Sequence, residues 1–213
     1  MGNGESTYKL VPLLKDNYMR LLFFNLFILT SFFALGSCNT STNKGLSGIS
    51  TIPTDTAKGI IIKHSLPRGN IYNDPAGKHF AYGVFWASVI NKTATPIELT
   101  MNFPADSFAI SGQPKDYVKF FLPPGTMTPE KESVYDYGLT TLKSFLDKHF
   151  HEPSQLKTTI KPKEEYRFYI AVVSKEGYNG AVRAELVLKE QNLFYKINML
   201  DSLLPCGSIV FKK

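Results

Sequence analysis

The stretch from residue 97 to residue 103 reads IELTMNF and alternates apolar and polar side chains without a fault. Successive side chains of a β-strand point to opposite faces, so this pattern predicts a strand with one face in a core and one face in water. Strands of this kind are typical of antiparallel sheets, in which one face is commonly solvated. The stretch therefore favours a mainly β domain.

Similar patterns recur from residue 59 onward. Residues 166–172 and 181–188 also alternate, and residues 81–90, which hold Trp86, are apolar on both faces, as expected of a central strand. Further candidate strands are rich in β-branched and aromatic residues: residues 60–66, 107–110, 117–122, 156–160, 193–198 and 208–212. Roughly ten short strands separated by turns predict an immunoglobulin-like antiparallel β-sandwich.

One segment departs from the strand pattern. In residues 137–150 the apolar residues Leu139, Leu142, Leu146 and Phe150 recur at helical spacing, and Pro153 follows them. We predict one amphipathic helix, inserted between two strands and packed on an edge or an open end of the sandwich. The helix is either a plain crossover between strands or a lid or partner-binding element.

Two turns carry further expectations. Residues 177–180 read GYNG and predict a hairpin loop. The pattern Val89-Ile90-Asn91-Lys92-Thr93 followed by Pro96-Ile97-Glu98-Leu99 resembles the first hairpin of many bacterial immunoglobulin-like modules. The inter-sheet cysteine pair of antibody domains is absent from this domain, because Cys206 is its only cysteine. We expect Cys206 to be a small buried apolar residue rather than a nucleophile.

A different signal precedes the β pattern. Residues 21–35 form an uncharged, mostly apolar run of 15 residues, and Arg20 stands immediately before it. A membrane-spanning helix needs about 20 apolar residues, whereas the apolar region of a signal peptide needs about 7–15. The length predicts a signal peptide over residues 1–37. Met19 directly precedes Arg20, and we expect it to be the true start.

The end of this run resembles the lipobox of bacterial lipoproteins. The matching residues are Leu35-Gly36-Ser37-Cys38, with a leucine three positions before the cysteine and small residues between. The resemblance implies that a diacylglyceryl group is attached to the Cys38 thiol and that the chain is cleaved before Cys38. Two or three acyl chains hold a protein stably at a membrane, whereas one holds it only marginally. An ordinary secretory signal and an apolar core helix are the alternatives.

The residues after Cys38 predict a flexible tether and a location in the cell. Residues 38–58 are rich in Ser and Thr, so they bury too little apolar area to fold and are expected to be flexible. Asn39 follows the cysteine, where an aspartate would resemble an inner-membrane retention signal. An outer-membrane lipoprotein facing the periplasm is therefore expected. Asp55-Thr56-Ala57 resembles the O-glycosylation signal of Bacteroidota. Residues 59–213 form the β-sandwich domain.

Composition excludes several classes of protein. The chain has 213 residues, of which 43% are hydrophobic, which is too many for a disordered protein. Two cysteines cannot build a framework of several disulfides. The net charge of +6 is spread along the chain without a block of like charges, so no nucleic-acid partner is expected.

Few motifs point to chemistry. Ser154-Gln155-Leu156-Lys157 matches S-x-x-K of penicillin-binding enzymes, but no companion K-T-G or S-D-N occurs, and chance is the better explanation. His149 and His151 are two residues apart at the predicted helix end, where they would point apart, so no metal and no cofactor is expected.

One loop is a candidate binding element. Glu130, Glu132 and Asp136 lie beside Tyr135 and Tyr137, and such an acidic-aromatic loop is either a sugar-binding loop or simply solvated. An exposed aromatic row, such as Tyr169 with Phe194, would form another binding face.

These observations lead to a first hypothesis and two alternatives. The chain is expected to be a lipid-anchored, non-catalytic module that binds a protein or glycan partner at the cell envelope. The alternatives are an envelope hydrolase with a site built from distant residues, and a structural or chaperone-like module that captures a strand at an open sheet edge.

Overall fold

The structure, a computed structural model, describes residues 52–54 and 59–212. Cys38, the predicted signal peptide and most of the predicted tether lie outside the described residues. The described part contains twelve β-strands and one α-helix, in the order β1 (Ile52–Thr54), β2 (Ile60–His64), β3 (Arg68–Asn73), β4 (His79–Asn91), β5 (Ile97–Phe103), β6 (Phe108–Ile110), β7 (Gln113–Phe121), α1 (Leu142–His149), β8 (Ser154–Ile160), β9 (Glu165–Ser174), β10 (Ala184–Lys189), β11 (Asn192–Ile197) and β12 (Leu204–Phe211).

The strands form two antiparallel sheets. The first sheet has the order β1-β2-β4-β9-β7-β6, and β3 pairs with the part of β4 that β2 leaves free. The second sheet has the order β10-β11-β12-β5-β8. The predicted antiparallel β-sandwich with one helix is confirmed, and the stretch that predicted it, residues 97–103, is β5.

The connectivity can be compared with that of an immunoglobulin domain. The run β2-β4-β9-β7 of the first sheet has the order of immunoglobulin strands A, B, E and D. After β9 the chain returns to the second sheet at its far edge as β10, and it continues through β11 so that β12 lies beside β5. In immunoglobulin domains the strand that follows E takes that position instead.

The larger hydrophobic core, called the inner core, lies between the two sheets. The first sheet contributes residues such as Ile62 and Phe85, and the second contributes Leu99, Met101 and Leu186. All five are completely buried, as period-2 strands with one inward face require. The inner core thus joins the two sheets into one domain.

A second core, called the outer core, lies on the other face of the first sheet. The segment between β7 and β8 folds across this face, where its residues Met127, Leu142 and Leu146 pack with Trp86 and Tyr169 of the central strands. The prediction that the helix packs on an edge or an open end is therefore wrong. The first sheet is covered on both faces, and this explains why residues 81–90 are apolar on both faces.

The two turns predicted to form hairpins connect different sheets instead, so the hairpin prediction is wrong for both. Residues 91–96 lead from β4 in the first sheet to β5 in the second, and residues 177–180 lie between β9 and β10, which also belong to different sheets. The buried Asn91 holds the first turn, because its amide donates to the carbonyl oxygens of Thr95 and Ile160 and its side-chain oxygen accepts from the Thr93 amide. A hairpin would keep both strands in one sheet, whereas a sandwich also needs turns that carry the chain from one sheet to the other.

The sequence did not predict β1 and β3. β1 lies within the segment expected to be a flexible tether and pairs with β2. β3 reads RGNIYN and contains residues that are uncommon in strands. Gly69 is nevertheless required there, because a Cβ at this position would lie 1.9 Å from the carbonyl oxygen of Tyr82 on β4.

Candidate functional site

A cavity of about 430 Å³ opens between β3, β4 and the segment that covers the first sheet. Three of its lining residues are tyrosines, and we call it the tyrosine groove. Its lining comprises Ile71, Tyr72, Asn73, Tyr82, Tyr135, Asp136, Leu139, Thr140, Leu142, Lys143 and Leu146. Its volume is within the range of about 300–1,000 Å³ that small-molecule sites occupy.

One side of the groove is a turn with an unusual backbone. Three consecutive residues, Asp136, Tyr137 and Gly138, have φ angles of 47°, 54° and 68°. Glycine adopts this left-handed region freely, but Asp and Tyr do so at a cost of about 1–2 kcal/mol each. Strained backbone of this kind persists only where surrounding contacts fix it, and it often occurs at functional sites.

Contacts around Tyr137 hold the left-handed turn in place. Its hydroxyl donates to the carbonyl oxygen of Leu66 at 2.6 Å, and its own carbonyl oxygen accepts from the Tyr169 hydroxyl at 2.8 Å. The guanidinium of Arg68 lies 4.3 Å from the centre of the Tyr137 ring. Arg68 also donates to the carbonyl oxygen of Val134. The turn is therefore held from the sheet side.

The strained turn buries a carboxylate at the groove. Asp136 is only 6% exposed, and its Oδ2 accepts a hydrogen bond from the Tyr82 hydroxyl. Its Oδ1 is buried and has no hydrogen-bond partner. A buried polar atom without a partner costs about 1–3 kcal/mol, so native structures rarely keep one without a reason.

The rim beside Asp136 carries two exposed apolar surfaces. Tyr135 is 62% exposed and Ile71 is 65% exposed. The Tyr135 hydroxyl accepts from the Asn70 amide at 2.9 Å, while the Asn70 side-chain oxygen accepts from the Ile71 backbone N–H at 2.8 Å. Asn70 thus fixes the exposed ring and also occupies a backbone donor of the edge strand β3.

The opposite wall is built by α1. The Tyr72 hydroxyl donates to Asp147 at 2.9 Å, and the Lys143 ammonium forms an ion pair with the same carboxylate at 3.2 Å. The ammonium lies 5.5 Å from the centre of the Tyr72 ring. The wall therefore presents one cation close to an aromatic face.

The two phenols that β3 and β4 contribute to the groove, the buried Tyr72 and the half-buried Tyr82, are held in the protonated form. Burial and the hydrogen bond to Asp136 raise the pKa of Tyr82 above its ordinary value. Burial and the hydrogen bond to Asp147 raise the pKa of Tyr72 in the same direction. Both hydroxyls act at neutral pH as hydrogen-bonding groups rather than as bases or nucleophiles.

The acidic-aromatic loop predicted from the sequence is divided by the structure. Asp136 and Tyr135 line the tyrosine groove, whereas Glu132 pairs with Arg167 of β9. Arg167 also donates to Glu165 at 2.8 Å and lies 5.1 Å from the centre of the Trp86 ring. Glu132 thus fastens the covering segment to the sheet and takes no part in the groove.

The other motifs singled out in the sequence do not converge. Ser154 is buried and its hydroxyl accepts from the Leu122 amide, whereas Lys157 points outward and pairs with Glu98. They lie on opposite faces of β8, and the S-x-x-K arrangement is not formed. The outcome supports the interpretation that this motif arises by chance.

Two further sets of candidate residues are also separated or otherwise engaged. His149 contacts Glu152 at 2.6 Å on the surface. Tyr169 is buried in the first sheet and Phe194 lies on the second, so they form no common row. Within residues 52–54 and 59–212, no cluster of three or more His, Cys, Asp or Glu side chains could hold a metal ion.

A separate buried polar group lies in the inner core. His64 donates from Nδ1 to the Ser65 carbonyl oxygen at 3.0 Å, and its Nε2 has no partner. Its ring lies 5.1 Å from that of Phe85 and 5.6 Å from that of Tyr195. Burial lowers the pKa of His64 to about 4, and burial raises the pKa of the Cys206 thiol to about 12. Cys206 is therefore an unreactive thiol at neutral pH.

Comparison with known proteins adds no analogy for this arrangement: no protein family, curated protein or solved structure matches the chain. In the part of the chain that the structure describes, no helix has the length and apolarity needed to span a membrane. A cavity of about 380 Å³ at the end of the second sheet lies next to residues 198–203, but none of its lining residues has a buried polar atom without a partner. The tyrosine groove is therefore the stronger candidate site.

Proposed function

We propose that this chain is a lipid-anchored, non-catalytic binding module of the bacterial cell envelope and that the tyrosine groove is its binding site. The single observation that carries the binding role is the tyrosine groove itself, a cavity of about 430 Å³ whose rim carries the exposed side chains of Tyr135 and Ile71 beside the strained turn at Asp136. Backbone strain of the kind found at Asp136 and Tyr137 often occurs at functional sites.

The chemistry of the groove supports binding rather than catalysis. The phenols of Tyr72 and Tyr82 stay protonated, and the one cation among the lining residues, Lys143, is paired with Asp147. General acid–base catalysis instead uses groups whose pKa lies near the operating pH. Strand capture at β3 has less support, because Asn70 occupies the Ile71 backbone N–H.

The anchoring half of the proposal rests on the sequence. Cys38 stands at the end of a lipobox-like Leu35-Gly36-Ser37-Cys38, and Ser/Thr-rich residues separate it from the sandwich. Acyl chains on Cys38 would hold the domain at the outer membrane, facing the periplasm. A tether there lets the groove reach a partner in the envelope.

Palmitate labelling in a bacterial host tests the anchor. We expect the wild-type chain to incorporate the label and Cys38→Ala to lose it. Cys206→Ala is the matched control, because Cys206 is buried in the inner core, and this variant should keep the label. Label that survives Cys38→Ala, or an intact leader peptide in the mature protein by mass spectrometry, would contradict the anchor.

Site-specific photocrosslinking in cells tests the binding site. A benzophenone amino acid at Ile71 would lie on the rim of the groove, and we expect it to form a discrete crosslinked product. The same probe at Val210, which is 42% exposed on the outer face of the second sheet, is the control. Equal products from both positions, or products from Val210 alone, would show that the groove is not the binding site.

A further inference from the structure

Another cavity, of about 310 Å³, lies on the inner face of the first sheet, at the end where β3 begins. We call it the glycine cavity, because Gly69, Gly83, Gly177 and Gly180 are among the residues that line it. Phe85 of the inner core lines it as well. The described residues of its lining include no charged side chain, so a charged group would be desolvated there without an ion-pair partner. The cavity therefore suits an apolar side chain.

Gly83 leaves this cavity open although the backbone does not require a glycine there. It lies two residues before Phe85 in β4, so the two residues face the same side of the sheet. Its φ angle lies outside the left-handed region, and a Cβ would meet Pro67 at 3.5 Å and the Phe85 ring at 3.8 Å, which are ordinary van der Waals distances. Glycine within a strand is less stable than alanine. The sequence thus keeps a hollow that a larger residue at this position would fill.

The chain enters the sandwich beside this cavity. β1 pairs antiparallel with β2, and Ile52 lies opposite His64. The residues before Ile52 therefore head in the same direction as the residues after His64, which lead to Pro67 and Gly69 at the cavity. Ile49 is as many residues from Ile52 as Pro67 is from His64, and three residues of extended chain span about 10 Å. An extended segment before β1 thus brings Ile49 to the level of Pro67.

The segment before β1 carries the apolar side chains for such a contact. Residues 39–51 read NTSTNKGLSGIST, and Leu46 and Ile49 are their only aliphatic side chains. The remaining residues are polar or glycine, so the segment cannot bury these two side chains by itself. A cavity of about 150 Å³ can hold a benzene-sized group, so one of about 310 Å³ accommodates an isoleucine side chain with room to spare.

From the position, size and lining of the glycine cavity, and from the direction in which the chain enters β1, we infer that residues 46–51 dock on the sandwich and that Ile49 fills this cavity. Docking leaves residues 39–45 as the free spacer after Cys38. A flexible chain of this length spans about 15 Å, against about 20 Å for residues 39–51. With the proposed anchor on Cys38, docking therefore holds this end of the sandwich close to the membrane. An apolar side chain of a separate protein in the same cavity is the competing outcome.

Photocrosslinking within the full chain tests the docking. An aliphatic diazirine amino acid replaces Ile49, the protein is purified in detergent and irradiated at low concentration, and the linked peptides are identified by mass spectrometry. We expect the main product to join position 49 to residues of the cavity lining, such as Pro67, Val182 or Met199. The same probe at Thr42, which lies in the free spacer, is the control and should give at least about fivefold less of these products.

Filling the cavity should remove the crosslink. Gly83→Val places a branched side chain in the space assigned to Ile49, so the yield from position 49 should fall at least about fivefold. Gly83→Ala adds a single methyl group and should lower the yield by a smaller factor. Lys157→Gln, on the outer face of the second sheet, is the control and should leave the yield unchanged. Circular dichroism establishes that each variant is folded.

Thermal melts provide a test that needs no probe. Ile49→Ser should lower the melting temperature by about 2–4 °C, because it removes a buried apolar side chain. Ser50→Ala, in the same segment, is the control and should leave the melting temperature unchanged. In the Gly83→Ala background Ile49→Ser should have a smaller effect, because the two side chains share one space.

Three outcomes would overturn the inference. The products from position 49 could be spread over the sandwich as those from Thr42 are, or they could join the segment to a second protein or to a second copy of the chain. The third outcome is a melting temperature that Ile49→Ser leaves unchanged. None of these results bears on the tyrosine groove or on acylation of Cys38, because docking needs neither of them. Palmitate labelling and the crosslink from Ile71 test those two proposals separately.

Discussion

The two sheets of this domain differ in what covers their outer faces. The outer face of the first sheet is buried under the segment between β7 and β8, and the tyrosine groove opens at the margin of this cover. The outer face of the second sheet is uncovered and carries cross-strand ion pairs, such as Lys157–Glu98 and Lys196–Glu185. Both sheets share the inner core, so they differ in only one face each.

The difference shows where this fold tolerates unfavourable features. Among the described residues, the left-handed pair Asp136 and Tyr137 belongs to the covering segment, whereas Lys163 and Glu190 adopt this conformation singly in turns between strands. The unpaired Asp136 Oδ1 also belongs to the covering segment, and His64 Nε2 and the Tyr195 hydroxyl are unpaired in the inner core. Among the described residues, no buried polar atom without a partner lies on the outer face of the second sheet. A flat sheet can be solvated at little cost, whereas a segment laid across a sheet creates a concave margin.

The largest loss of stability is expected from a substitution in the inner core, which both sheets share. Phe85 is completely buried between them, and Phe85→Ala removes its ring and leaves a cavity, so we expect a loss of about 3–5 kcal/mol in the free energy of unfolding. Urea denaturation followed by Trp86 fluorescence and by circular dichroism measures it. Coincident transitions by both probes are expected, because Trp86 lies in the outer core and reports the covered face. Separate transitions would show that the covering layer unfolds on its own.

Acid should weaken the shared core through His64. Burial holds its pKa at about 4 in the folded domain against 6.5 in the unfolded chain, so the unfolded chain binds the proton first as the pH falls. The free energy of unfolding should therefore be fully present above pH 6.5 and should fall by about 3 kcal/mol between pH 6.5 and pH 4. Denaturant titrations at a series of pH values measure this loss. If the free energy of unfolding of His64→Gln falls with pH as steeply as that of the wild-type chain, the loss of stability in acid comes from other groups.

The shared core is also the part of the fold that the sequence predicts best. The alternation in residues 97–103 places Leu99 and Met101 inward, as observed, and the two-sided apolar pattern of residues 81–90 predicts a central strand. The apolar residues on both faces of residues 81–90 already indicated that the outer face of this sheet is covered, because a strand with one solvated face would carry polar residues on that face. The apolar face of α1 could not show which surface the helix would cover, because it can pack equally well against many apolar surfaces.

The candidate site is predicted only in part. The acidic-aromatic loop singled out Asp136 and Tyr135, and both line the groove. Tyr72 and Tyr82 were not predicted, because they come from strands that lie more than 50 residues earlier in the chain and only the topology brings them to the loop. The left-handed turn at residues 136–138 also had no signal, because Asp-Tyr-Gly carries no strong turn pattern before its glycine.

A smaller change, this time a gain of stability, is expected from a substitution in the segment that covers the first sheet. Asp136→Asn should raise the free energy of unfolding by up to about 1 kcal/mol, because asparagine tolerates the left-handed region well and the buried charge is removed. The melting temperature should rise by up to about 2–4 °C. Asp136→Ala is the contrasting variant, which leaves the Tyr82 hydroxyl without its acceptor and should destabilise.

The smallest effect is expected on the uncovered face of the second sheet. Lys157 is 67% exposed where it pairs with Glu98 at 3.1 Å, and exposed ion pairs gain little because water and salt screen them while both side chains lose freedom. Lys157→Gln should therefore leave the denaturation midpoint indistinguishable from that of the wild-type chain, at low and at high salt. A clear loss of stability, or a loss of crosslinking from Ile71 in this variant, would mean that the uncovered face has a role of its own. Such a result would remove the contrast from which the function of the covered face is argued.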